Sequence, residues 1–413
     1  MTAESLSSSV APPLRILHIF ARLNHGGAEI RTLELVRYLR TRHPELPLET
    51  HFCCLSGLPG TLDEVARGLG CQVHLLPLRG PSFIARFLKL LRDGRYDVVH
   101  SHVHHPSGLI TLLAKTAGVP CRVVHFRSID DGRPPGFARR MLVRLWKHLI
   151  DRSATHILGV SRCALQASWC PDWTGDNRCQ VIYNGIDLGR FPDPMDRVTR
   201  ERLFEQFELP SDMRVLVHVG RETPAKNHKR LLSIFSELKK SLPQAVLLLV
   251  GDLAQNSSLL GEVRQHGVEG SVRFLGRRDD VPSILAAADL MVFPSLWEGM
   301  PGAVLESLAA GTPVVASDIL PHREIAEQLP GSIWLVQLEQ SDKTWAERIM
   351  QVPQPTPATR LAARSAFLAG PFSLQRAAEQ LLNIWCSARA DKNLSRVELG
   401  SHGKTATEQR RAA

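Results

Sequence analysis

The sequence predicts an α/β protein made of two doubly wound parallel sheets, and three observations lead there. Short runs rich in Val, Ile and Leu alternate with amphipathic helical stretches along the chain, the pattern of parallel strands joined by crossover helices. A length of 413 residues is more than one ordinary core fills and suits two domains of about 180 residues each. Residues 187–211, polar and rich in Pro, Arg and Asp, separate two series of such runs.

Taken in order, the first series places strands at 14–20, 48–55, 72–78, 97–102, 122–127, 154–160 and 180–183. The second begins at Met213 and continues at 245–250, 272–275, 290–293, 313–316 and 333–336. The expected organisation is a disordered leader over 1–13, a first domain over 14–190, a linker over 191–211 and a second domain over 212–371. Residues 391–413 are polar and poor in apolar side chains, and read as a disordered tail. The leader lacks the basic start and apolar stretch of a signal peptide. No apolar run approaches the roughly 20 residues a membrane helix needs. Hydrophobic content of 44% and charged content of 22% are those of a soluble globular protein. The eight cysteines follow no metal or disulfide spacing and read as free thiols, Cys163, Cys170 and Cys179 included.

Chemistry concentrates in the second half. After the strand at 290–293 the chain runs Trp297, Glu298, Gly299, Met300, Pro301, Gly302 and, a turn and a half into the following helix, Glu306. A strand, a Gly turn and a helix N-terminus make an anion site, because the first helical N–H groups lack internal partners. Carboxylates repel phosphate but accept hydrogen bonds from hydroxyls, so Glu298 and Glu306 flanking the turn suit a ligand that is both diphosphate and polyol. A second loop, Gly220, Arg221 through Lys226 and Asn227, follows the strand starting at Met213 and precedes a helix whose apolar side carries Leu231, Leu232, Ile234, Phe235 and Leu238. Arg221 and Lys226 there can converge on one diphosphate, a planar fork and a point charge, at the sheet edge where open α/β sheets bind ligands. In the first half, Gly26 and Gly27 sit between a strand and a helix starting near Ala28, so their amides can approach an anion.

The net charge of +9 invites a nucleic-acid partner, but no recognition motif accompanies it. Much of the charge lies in Arg133, Arg139, Arg140, Arg144, Lys147 and Arg152, interleaved with Phe137, Met141, Leu142, Leu145 and Trp146. Such a basic amphipathic helix reads either as a surface that rests on an anionic membrane or as an ordinary helix with its apolar side in the core. His100, His102, His104 and His105 resemble a metal cluster, yet no carboxylate or Cys stands at ligand spacing, so a metal site is not expected.

With these residues in hand, the chain resembles a family-4 retaining glycosyltransferase of the GT-B fold from about Leu14 to about Trp385. The features are Asn24 to Glu29, Asp97 to His102, the Gly220–Arg221…Lys226–Asn227 loop, and the Glu298…Glu306 element. The resemblance implies two Rossmann-like domains facing a central cleft, and a helix over 372–390 crossing back to the first domain. It implies a nucleotide-diphospho-sugar donor, UDP- or GDP-linked, with no cofactor and no required metal. Arg221, Lys226, the Gly26–Gly27 amides and the helix at Gly302 would hold the departing diphosphate, Glu306 the ribose and Glu298 the transferred sugar. The expected acceptor is a glycan or lipid-linked glycan in cell-surface polysaccharide or glycolipid assembly, on the cytoplasmic side of the membrane. One departure stands out: where the family commonly has a His at the end of the fifth strand, this chain has Phe126, flanked by His125 and Arg127, which strand alternation puts on one face. Either can stand at the anomeric centre, with His125 favoured, and His102 is assigned to the acceptor side. The alternatives are a catalytically silent relative that binds a nucleotide sugar or a partner protein, and a nucleotide-sugar epimerase.

Overall fold

The computed structural model describes residues 12–129, 136–194, 196–253 and 258–387. Its chain divides into two units, one holding the residues up to Gly159, Leu165–Ile182 and those from Ala378 on, the other Val160–Ala164 and Tyr183–Ala377.

The first unit is built on Leu14–Phe20 (β1), Leu48–Cys54 (β2), Gln72–Leu75 (β3), Val98–Ser101 (β4), Cys121–Phe126 (β5), His156–Gly159 (β6) and Cys179–Val181 (β7). These form one sheet in the order β3-β2-β1-β4-β5-β6-β7, and every pairing is parallel. The second unit carries Arg214–Val219 (β8), Ala245–Val250 (β9), Val272–Gly276 (β10), Leu290–Phe293 (β11), Val314–Ser317 (β12) and Ile333–Val336 (β13), all parallel in the order β10-β9-β8-β11-β12-β13. Each order reverses direction once, between β1 and β4 and between β8 and β11, which is the doubly wound topology that the alternating runs predicted.

Burial explains why these runs become central strands. All six residues of β9 are buried, as expected where helices cover both faces of a parallel sheet. Val215, Val217, Val246, Leu248, Met291 and Phe293 pack on one face, and Leu216, Leu247, Leu249, Leu290 and Val292 on the other. Two buried aspartates hold the strand entries. Asp97, just before β4, accepts from the Arg15 amide at 3.1 Å, and Asp289, just before β11, accepts from the Val215 amide at 2.8 Å and pairs with Arg200 at 2.9 Å.

Where polarity suggested a linker, the chain forms the helix Arg197–Gln206, N-capped by Asp196, whose Oδ1 accepts from the Val198 amide. Its Leu203 and Phe204 join the core of the second unit together with Leu209. Three apolar side chains in a charged background suffice to seat it, and composition averaged over the stretch conceals them. Residues 374–387 form the last described helix. The division between units falls within it, and beyond Ala378 it packs in the first unit, with Ile384 O accepting from Cys121 Sγ and Trp385 edge-on to His18 and His100. The expected leader falls largely, and the expected tail wholly, outside the described residues.

Candidate active site

In the second unit the two loops singled out in the sequence become neighbours, because β8 and β11 are adjacent strands at the point of reversal. The loop after β8 makes a short 3-10 turn, Pro224–Lys226, closed by Asn227 in the left-handed region at φ 54°. Asn227 Nδ2 donates to Pro294 O at 3.1 Å and the Leu296 amide donates to Ala225 O at 2.8 Å, tying this loop to the one after β11. Lys226 Nζ then reaches Glu298 Oε1 at 2.7 Å while lying 4.5 Å from the centre of the Phe293 ring. Arg221 is exposed at the rim and Glu306 half-buried on the following helix.

That helix, Gly302–Ala309, begins after Pro301 with no side-chain cap and no acidic residue in its first turn. Its leading N–H groups therefore keep the capacity to bind an anion. Met300 and Pro301 are buried and Gly299 half-buried, so the turn is a fixed part of the wall. Gly220 lets Lys226 pass, since a Cβ there would lie 3.1 Å from Lys226 Cγ. Gly251, which the sequence reading did not single out, lies at φ +145°, and a Cβ on it would lie 2.2 Å from Gly220 O, so only Gly admits this approach of the β9 and β8 ends.

Three histidines near this edge were also missed. His218 Nδ1–H donates to Val292 O and His322 Nδ1–H to Ser317 O, which leaves a lone pair on each Nε2; neither Nε2 finds a partner among the described residues. His228 packs edge-on to His218, and Ser295 Oγ is likewise buried and unpartnered. Burial pushes His322 and His228 down to about 4 and His218 well below the usual imidazole range, so all three are neutral near pH 7. Their only sequence signal was a His ending an apolar strand or opening a helix.

In the first unit the corresponding reversal brings the ends of β1 and β4 together. The helix Gly27–Arg42 starts after the Gly26 turn, and a Cβ on Gly26 would lie 2.3 Å from Glu29 Oε2. A carboxylate of the chain itself thus lies over the turn expected to receive phosphate. His102, half-buried at the end of β4, stacks on Phe20 at 4.3 Å. Arg127 Nε donates to His102 Nδ1 at 3.2 Å, so a neutral His102 carries its proton on Nε2 and donates to His18 Nδ1 at 3.1 Å. His125 is 1% exposed, bonded to His100 at 3.1 Å inside this row of rings, whereas Arg127 lies past the end of β5. Alternation does direct both residues to one face, but only Arg127 reaches the edge of the sheet. Burial, with Arg127 adding to it, holds His18 at about 3 and His125 well below its ordinary value, and burial lowers Arg127 itself to about 10.

His18, His100 and His102 bring ring nitrogens within 4.8 Å of one another, a spacing that could hold a metal ion. The donor set does not fit one. Arg127 Nε donates to Nδ1 of His102, so an ion on Nε2 would force the ring proton onto Nδ1, donor against donor, and the guanidinium adds a positive charge beside the group.

The helix Phe137–Ser153 buries only Ile150 and Ser153 fully. Phe137 is 74% exposed, Leu145 51%, Met141 48% and Leu142 43%, so the apolar side expected either in the core or on a membrane is open among the described residues. Arg133 lies outside them. No described helix is long and apolar enough to cross a membrane.

Two all-parallel, doubly wound sheets, each with functional groups at its point of reversal, define the two-domain α/β architecture of GT-B glycosyltransferases. The family model for glycosyl transferases group 1 matches residues 199–356, and that for the glycosyl transferase 4-like domain matches residues 26–185. The capsular polysaccharide biosynthesis glycosyltransferase CapH of Staphylococcus aureus is 29% identical, covering 82% of this chain and 90% of its own. D-inositol 3-phosphate glycosyltransferase of Corynebacterium aurimucosum is 30% identical over 77% of this chain and 79% of its own. Among solved structures, HepE of Anabaena in complex with UDP and glucose aligns with a TM-score of 0.72 at 20% identity, covering 91% of this chain and 100% of that one. The chain belongs to the group 1, family-4 type glycosyltransferases, and glycosyl transfer is its activity.

Proposed function

We propose that this glycosyltransferase transfers a sugar, with retention, from a UDP- or GDP-linked sugar to a hydroxyl of a glycan or lipid-linked glycan in cell-surface polysaccharide or glycolipid assembly. The carrying observation is the meeting of Lys226 with Glu298 beside the uncapped start of the Gly302 helix. Capture of UDP and glucose by HepE and the capsular role of CapH support the donor and the pathway class.

On this reading Arg221, Lys226 and the amides of Gly299, Met300 and Gly302 hold the diphosphate, with Gly220 giving the loop its shape. Glu306 accepts the ribose hydroxyls and Glu298 those of the transferred sugar. The bond from the anomeric carbon to the diphosphate breaks as the acceptor oxygen bonds on the same face, and the acceptor proton leaves on the diphosphate. Fixed donors aimed at the growing negative charge supply the rate, and no metal takes part. Arg127 serves the acceptor or anomeric centre with His102 beside it, and His125 supports them from behind. The Gly26–Gly27 turn takes a phosphate only once the Glu29 carboxylate moves aside. The open basic face of the helix Phe137–Ser153 suits peripheral binding to the anionic inner face of the cell membrane.

The test is nucleotide release by the full chain, with a chelator present, across a panel of nucleotide sugars. Slow release of UDP or GDP from one donor identifies it. Absence of both release and thermal stabilisation with every donor in the panel overturns the reading.

A further inference from the structure

The short segment Val160–Ala164 follows β6 but belongs to the second unit, and its contacts there are specific. Ser161, 0% exposed, donates from Oγ to Gly299 O at 3.1 Å while accepting from the Ala164 amide at 3.1 Å. The Arg162 amide meets both carboxylate oxygens of Glu324, at 2.8 and 3.0 Å. Glu324 is 3% exposed and also accepts from Tyr183 OH at 2.8 Å. The segment is therefore anchored by Glu324, and its one hydroxyl is directed at the carbonyl between Glu298 and Met300.

We infer that Ser161 is a positioning residue for donor binding: through the Gly299 carbonyl it fixes the peptide planes of the Glu298–Gly302 turn, so that their amides face the diphosphate. A carbonyl turned toward Ser161 is turned away from the anion, and the next amide points the opposite way. Without that bond the Gly299 carbonyl keeps, among the described residues, only the weaker thiol donor Cys163 Sγ, at 3.9 Å, and its peptide has more orientations to choose among, since Gly constrains its backbone least. The helix that follows is held independently by buried Val304, Leu305 and Leu308. Loss of the Ser161 bond therefore disturbs the phosphate cradle and spares the nucleoside end. The inference rests on the reading that this turn holds the donor.

The experiment measures binding of UDP, GDP, uridine and guanosine to the full chain and to Ser161→Gly, Ser161→Ala and Ser161→Thr variants by calorimetry, with thermal melting alongside. Ser161 immediately precedes the helix Arg162–Ser168 and its Oγ accepts from the Ala164 amide; Gly is tolerated at such a position, so Ser161→Gly separates the hydroxyl from helix capping if Ser161→Ala folds poorly. The expected result is about a five-fold loss of diphosphate affinity in Ser161→Gly, the size of one ordinary hydrogen bond, with nucleoside affinity unchanged and Ser161→Thr restoring the wild-type ratio. Equal weakening of diphosphate and nucleoside, or no change in either, overturns the positioning role. Failure of the wild type to bind either diphosphate overturns the donor reading instead.

Discussion

Lys226 and Glu298, assigned to different parts of one ligand, pair with each other at 2.7 Å. On the proposed reading, donor binding redirects both groups. Lys226→Ala is expected to lower kcat/KM by about 100-fold or more, roughly 3 kcal/mol of lost charge stabilisation, in a sugar-transfer or nucleotide-release assay. Glu298→Gln frees the ammonium from its pair, so it should bind the plain nucleoside diphosphate at least as tightly as wild type while transferring sugar poorly. Weaker binding of the diphosphate by this variant would count against the pairing having this role. Gly251→Ala tests the backbone approach, since its Cβ would meet Gly220 O and its φ is strained for any other residue. It should lower both the melting temperature and donor affinity.

At the level of elements, the aspartates at the entries of β4 and β11 do for each sheet what a cap does for a helix. Asp289→Ala strands the Val215 amide and removes the carboxylate partner of Arg200, and should destabilise by about 2–4 kcal/mol, read as a lower urea midpoint. The helix Phe137–Ser153 shows the opposite economy: its apolar side is left open. Liposome flotation should recover the protein with anionic vesicles at low salt, and Met141→Glu with Leu145→Glu should abolish recovery without lowering the melting temperature. Failure of the wild type to float with anionic vesicles would remove the membrane role, and retention of the double variant would remove this helix from it. The sequence made this helix and its charge legible, but could not say which way it faced. Hydrophobic residues at helical spacing look alike whether a core or a surface receives them.

Across the whole molecule, neutral histidines in or against the core make stability depend on pH. His18, His100, His102, His125, His218, His228 and His322 all have folded pKa values depressed first by burial. The unfolded chain takes up their protons below about pH 6.5 and the folded chain does not. Stability is therefore full above that pH and is lost as pH falls toward the folded values, by up to about 1.4 kcal/mol per pH unit for each histidine. Urea midpoints between pH 7.5 and 5 should fall steadily, and a flat profile would contradict their neutrality. The sequence by itself determined the local structure: β-branched runs became strands, the Gly turns and flanking helices formed where composition demanded them, and the ligand-class residues were named from their types and spacing. Only the tertiary structure decided the neighbours. It set β8 beside β11 so that Lys226 meets Glu298, buried His125 while leaving Arg127 at the strand end, seated the helix Arg197–Gln206 on a core, and gave Ser161 its carbonyl. The physical reason is range. Propensity and periodicity act within a few residues, whereas strand order and burial are settled by contacts between residues far apart in sequence, whose free energy no local segment carries.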